Sequence, residues 1–181
     1  MENKKSILET LTDSRIIFIN GEIKSDTSNS VIAQLLYLDS ISHDDIYIYL
    51  NTPGGSVSDG LAIIDTMKFV KSKINTIAIG TAASMGAVIL ACGDKRYCLK
   101  HSKMMIHQVY FGVQGTMSDV SIVYDNVIDT KNSLMNLLSE ATKQPIKKLE
   151  KDCDRDYWLN AKDALKYGLV DEIFEDSRKD E

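Results

Sequence analysis

The first half of the chain alternates β-branched runs with amphipathic or small-residue stretches in a fixed order. Residues 15–19 read as a strand, 27–39 as a helix, 46–50 as a strand, 58–71 as a helix, 74–80 as a strand and 84–92 as a short buried helix. Strand–helix–strand units of this kind close as parallel strands joined by crossover helices, which restricts the chain to an α/β fold. No Pro-, Gly- or Ser-rich linker and no internal repeat divides it, so 1–181 reads as a single domain. A chain of 181 residues can bury roughly 70% of its unfolded surface, enough for one core. Alternation along Ile46-Tyr-Ile-Tyr49 sends Tyr47 and Tyr49 to one face and Ile46 and Ile48 to the other.

A serine sits where the third strand meets its helix. Gly80-Thr-Ala-Ala-Ser-Met-Gly-Ala87 puts Ser84 between small residues at a tight strand-to-helix turn. There a hydroxyl is exposed, the backbone N–H groups of the first helical turn lack intrahelical partners, and the helix dipole favours a developing oxyanion. The local pattern Ala82-x-Ser84-x-Gly86 is a relative of the nucleophile elbow, with alanine for its first glycine. The plainer reading is a serine that only caps a helix.

Three histidines are available to serve such a serine. His43 lies in a polar loop and His101 in a turn between two short strands, whereas His107 ends the apolar run Met104-Met-Ile-His-Gln108. An imidazole is the natural base for a serine hydroxyl near neutral pH. The carboxylate that would orient it comes from Asp152, Asp154 or Asp156, and residue chemistry leaves all three open; alone, that run is a solvated charged loop. The turn Asn51-Thr-Pro-Gly-Gly-Ser-Val57 supplies paired glycines whose N–H groups can approach a ligand, or else an ordinary Pro-Gly turn. No Gly-Lys-Ser/Thr closes it, so a phosphate loop is excluded.

Composition excludes other classes. The net charge of −5 without a basic run argues against nucleic acid. No stretch approaches the roughly eighteen apolar residues of a membrane span, and the first residues lack an apolar signal core. Cys92, Cys98 and Cys153 show no metal spacing and suit a reducing compartment, so a cytoplasmic location is expected. A long helix over 117–141 carries apolar groups at Val120, Tyr124, Val127, Leu134, Leu138 and Ala141. Its span of roughly 37 Å exceeds what so small a domain can cover, which implies a subunit contact.

Four motifs in order resemble the proteolytic subunits of Clp proteases, the ClpP family: Asn51-Thr-Pro-Gly-Gly-Ser-Val57, Ala82-Ala-Ser-Met-Gly-Ala87, Met105-Ile-His-Gln108 and Asp152-Cys-Asp-Arg-Asp156. The likeness covers about 7–175 of the chain. It implies a ClpP/crotonase-like superhelix of ββα units with a protruding handle helix over 117–141. It makes Ser84 the nucleophile and His107 the base, selects Asp156 as the orienting carboxylate, and gives the oxyanion donors as the N–H groups of Gly55 and Met85. Gly54, Gly55, Ser56, Val57, Gln108 and Val109 would flank an extended substrate strand. Asp154 and Arg155, as an ion pair, would lie at a ring–ring contact. Leu36, Tyr47, Tyr49, Phe69 and Tyr97 would lie near grooves that dock an unfoldase.

The activity so implied is serine endopeptidase in a self-compartmentalised Clp protease. Stacked heptameric rings (a tetradecamer) would hydrolyse unfolded polypeptides fed by an AAA+ unfoldase of the ClpX, ClpA or ClpC type. No metal or cofactor is expected, ATP being used only by the unfoldase. The chain departs from the family in a shortened turn at 93–96, in Val109 where proline is usual, in Tyr110-Phe111 where small residues are common, and in lacking most of the axial-loop segment before Ile7. Residues 1–6 and 176–181 are expected to be flexible. Two other readings stand beside this one: a non-catalytic or partner-dependent ring subunit, and a crotonase-like acyl-CoA enzyme.

Overall fold

The computed structural model describes residues 6–175. The expectation of flexible ends therefore falls outside the described residues, except at Ser6, which is exposed. The elements are α1 (Ile7–Asp13), β1 (Ile16–Asn20), α2 (Ser25–Ile41), β2 (Ile46–Thr52), α3 (Val57–Phe69), β3 (Ile74–Ala83) and α4 (Met85–Ala91). They continue with β4 (Lys95–Leu99), β5 (Lys103–Ile106), α5 (Met117–Thr142), α6 (Ile146–Asp152), β6 (Tyr157–Asn160), α7 (Ala161–Tyr167) and β7 (Glu172–Phe174).

The strands β1-β2-β3-β4-β7 lie side by side in parallel, as the alternation of strands and helices requires. The long strand β3 serves two neighbours on one edge. Asn75–Ala78 pair with β4, and Thr81–Ala83 pair with β5. Strand β6 then adds antiparallel to β5. This sharing corrects the expected end of the strand at Gly80. Asn51 Oδ1 accepts the Thr81 N–H at 3.0 Å, and β5 supplies the pairing that carries the strand on to Ala83. It is a mixed α/β fold, as expected.

Every residue of α4 is buried, which explains its run of small and apolar side chains. It belongs to one buried core with Ile17, Ile19, Ile48 and Leu50 of the sheet and Leu35, Leu38, Ile63 and Ile64 of α2 and α3. Two arginines fasten the periphery through backbone oxygens. Arg15 donates to the carbonyls of Leu38, Ser42, Asp44 and Asp45, satisfying acceptors at the C-terminal end of α2. Arg96 donates to those of Ala141 and Gly168 and pairs with Asp171, tying the ends of α5 and α7 to β4. The guanidinium of Arg96 holds the Asp171 carboxyl below its ordinary range, against the opposing effect of partial burial.

The long helix behaves as two halves. Buried residues occur only near its C-terminal end, at Leu134, Met135, Leu138 and Thr142. Its first half leaves Met117, Ile122, Val123 and Tyr124 exposed. Among the described residues no helix is long and apolar enough to cross a membrane.

Candidate active site

Strand register brings the serine to the histidine. Ala83 pairs with Met105, and the Ser84 N–H donates to the Met105 carbonyl at 2.8 Å. One residue past the end of β5, His107 therefore faces the turn that carries Ser84. Its Nε2 lies 2.7 Å from Ser84 Oγ. Helix α4 begins at Met85, not at Ser84 as expected, because Ser84 adopts a left-handed φ of 55°. A non-glycine residue in that region is held there by its surroundings. Its side chain makes no capping hydrogen bond to the helix. The hydroxyl goes to His107 instead, which answers the simple helix-cap reading.

Of the three aspartates left open by residue chemistry, the second ladder brings one to the histidine. Ile106 pairs with Tyr157, so the residues just beyond this rung, His107 and Asp156, confront each other. His107 Nδ1 is 3.3 Å from Asp156 Oδ1. Asp152 is engaged elsewhere. Although burial pushes its pKa up, bonds from Lys148 and Tyr167 hold it below its usual range. Asp154 is exposed, and the contact made by Arg155 is to the Asp154 backbone oxygen at 3.1 Å. Within the single subunit the guanidinium thus turns back on its own neighbouring peptide. The cysteines offer no competing nucleophile. Burial pushes the thiols of Cys92, Cys98 and Cys153 up to about 11.

The paired glycines stand against the serine turn. Gly54 has φ +97°, and a Cβ on it would lie 2.7 Å from both Ala83 O and Ser84 Cβ. Only a residue without a side chain lets the two turns meet this closely. The neighbouring bridge to Ile23 uses the N–H groups of Ile23 and Ser56, not that of Gly55. Met85 is the first residue of α4, where N–H groups lack intrahelical acceptors. Ser56 caps α3 by accepting the Asp59 N–H at 3.3 Å, and Val57 opens that helix.

Beside the serine and histidine opens a cavity of about 280 Å³. Its walls include Gly55, Met85, Gln108 and Val109 together with the apolar side chains of Val57, Val88, Ile106, Leu134, Met135 and Leu138. The last three come from α5 and escaped the reading of the sequence, which placed Leu134 and Leu138 only in the apolar stripe of a helix and did not single out Met135. Half-buried Val109 packs against the core, whereas Tyr110 is 95% exposed.

The five residues expected near an unfoldase groove are divided between layers. Register aligns Tyr49 with Ile77 and Ile77 with Tyr97, in a row that also contains Phe18. Tyr49 stacks at a tilt on Phe18, and Tyr97 lies flat on Phe174 at 4.4 Å. Tyr47 is on the same strand face and partly exposed, while Leu36 and Phe69 are exposed on α2 and α3.

A serine and a histidine in hydrogen-bond contact, with a carboxylate behind the imidazole and two backbone turns in front, define a serine-hydrolase type of site on an α/β sheet. The particular family follows from the whole sequence. The chain belongs to the Clp protease family, whose model, described as Clp protease, matches residues 1–177.

Proposed function

We propose that this protein is a serine endopeptidase, the proteolytic subunit of a Clp protease, and that Ser84, His107 and Asp156 form its catalytic triad. The observation that carries this is the 2.7 Å contact of Ser84 Oγ with His107 Nε2. Ser84 attacks the peptide carbonyl while His107 takes its proton, and the imidazolium then protonates the leaving amine. Asp156 keeps Nδ1 protonated and stabilises the charged ring. The oxyanion is received by the N–H groups of Gly55 and Met85, and water attacks the acyl-enzyme by the reverse proton path.

The substrate lies as an extended strand between Gly54–Val57 and Gln108–Val109. Its side chain before the scissile bond enters the cavity lined by Val88, Leu134 and Leu138, which favours apolar residues there. In this reading the working form is a stacked pair of heptameric rings in the cytoplasm, fed with unfolded polypeptide by an AAA+ unfoldase. No metal or cofactor takes part in the cleavage itself, and ATP is consumed by the unfoldase. Support for assembly comes from the exposed apolar first half of α5 and from Tyr110 and Phe111.

The direct test is intact-mass analysis after treatment with a fluorophosphonate, alongside peptide hydrolysis. A single adduct and measurable cleavage are expected, both abolished in Ser84→Ala. Cleavage that survives this change removes the assignment. A wild-type chain that takes no adduct points to a subunit that assembles without cutting.

A further inference from the structure

Gln108 directly follows the proposed base, and its side chain is bonded to the loop that carries Asp156. Its Nε2 donates to the backbone oxygen of Asp154 at 2.9 Å. That same oxygen accepts from Arg155 Nη1 at 3.1 Å, so both of its lone pairs are engaged.

The position of this bond matters because of what it spans. Asp156 lies in the short irregular stretch between the end of α6 at Asp152 and the start of β6 at Tyr157. The last rung that fixes β5 against β6 is Ile106 with Tyr157. His107 and Asp156 lie just outside that rung, where the ladder no longer sets their spacing. The Gln108–Asp154 bond closes the open end from the far side. The two facing residues are bracketed by a backbone rung on one side and a side-chain latch on the other.

Asp156 itself contributes little to its own placement. Its side chain is 61% exposed, and its 3.3 Å separation from His107 Nδ1 is longer than the roughly 2.7–2.9 Å of a strong charge-assisted bond. Its position therefore depends on the backbone of residues 153–156. Of that backbone, the Asp154 carbonyl is the part tied to the His107 segment.

We propose that the side chain of Gln108 is a positioning group that sets the Asp156–His107 separation through the Asp154 carbonyl, while its backbone is what flanks the substrate. This rests on the triad reading above. Misplacing a catalytic group by about 1 Å costs on the order of a hundredfold in rate. Loss of the latch moves a carboxylate without deleting it, so a reduction of roughly tenfold to a hundredfold is expected.

The experiment measures the rate of fluorophosphonate inactivation, and kcat and KM for a peptide, for the full chain, for Gln108→Ala and for Gln108→Glu. Each change is made with Asp156 present and with Asp156→Asn. Gln108 is exposed, so its truncation removes no core contact, and melting curves verify the fold. Gln108→Glu keeps the side-chain size and replaces the donor with a group that repels the carbonyl, so it serves should the alanine variant not fold.

With Asp156 present, both variants should react roughly tenfold to a hundredfold more slowly. In the Asp156→Asn background the same changes should cost less than about twofold, since the residue being positioned is already gone. An undiminished cost in that background overturns the proposal, as do wild-type rates in both single variants. A raised KM for peptide with unchanged kcat also overturns it and makes the Gln108 side chain a substrate contact. Failure of the triad reading itself shows separately, as a wild-type chain that is not labelled at Ser84, and takes the positioning role with it.

Discussion

At the scale of single residues, the candidate site depends on close approaches more than on the reactive groups. Met85, whose N–H is one of the proposed oxyanion donors, lays its side chain on Gly60 of α3. A Cβ at Gly60 would fall 2.2 Å from Met85 Cγ. Alanine at a helical glycine stabilises by about 0.5–1 kcal/mol, but overpacking a core costs about 1–3 kcal/mol. The overlap therefore wins. Gly60→Ala should lower stability by about 1 kcal/mol and reduce kcat more than it raises KM, as read from melting curves and peptide kinetics. Unchanged kcat would separate the Gly60–Met85 contact from the oxyanion turn. Ser84 and His107 were legible in the sequence because each ends an apolar element in a distinctive setting. Asp156 was not, except by family likeness, because three aspartates share one charged loop and only the rung between Ile106 and Tyr157 distinguishes them.

At the scale of elements, most strands and helices were legible because burial imposes their periodicity. Their ends were less so, since they depend on partners distant in sequence. β3 runs past Gly80 because β5 and Asn51 meet it there, and α2 extends to Ile41 where Arg15 takes up its last carbonyls. The junction between α2 and the turn after α3 is fastened by Asp39. Its Oδ1 accepts from Ser72 N at 2.8 Å, Ser72 Oγ at 2.9 Å and Lys71 N at 3.1 Å, and lies 3.0 Å from His43 Nδ1. Partial desolvation pushes the carboxyl up, but the Ser72 and His43 bonds outweigh it and hold Asp39 at about 2, below its ordinary 3.8. A depressed carboxyl stabilises the fold above its unfolded value and loses that contribution as pH falls through its folded value. Asp39→Asn should therefore melt below wild type at neutral pH. The gap should close between about pH 4 and about pH 2 in thermal melts. A gap that stays constant over this range would show that the contacts act through geometry rather than charge.

At the scale of the whole molecule, the two halves of α5 do different work. The C-terminal half completes the cavity wall with Leu134, Met135 and Leu138. The first half keeps Ile122, at 69% exposure, and Tyr124 on its surface, so apolar groups there add nothing to the subunit's own core. If that half is a contact between rings, Ile122→Asp should leave the circular dichroism spectrum intact and reduce the assembled mass measured by light scattering. An unchanged mass would place the contact elsewhere. The exposed stripe was legible as a helix too long for its domain, but the cavity wall was not. Periodicity marks which side chains are apolar without saying which of them border a void.

The same connectivity puts an order on manufacture. A chain emerging from the ribosome presents Ser84 and His107 early, whereas Asp156 waits for α6 and for β6 to dock along β5. A nascent subunit thus carries an imidazole without its facing carboxylate until the 49 residues from 108 to 156 have been added. If the triad reading holds, the hydrolytic unit matures only when nearly all of the polypeptide has been made, and a half-built subunit does not cut in the crowded space where chains are born.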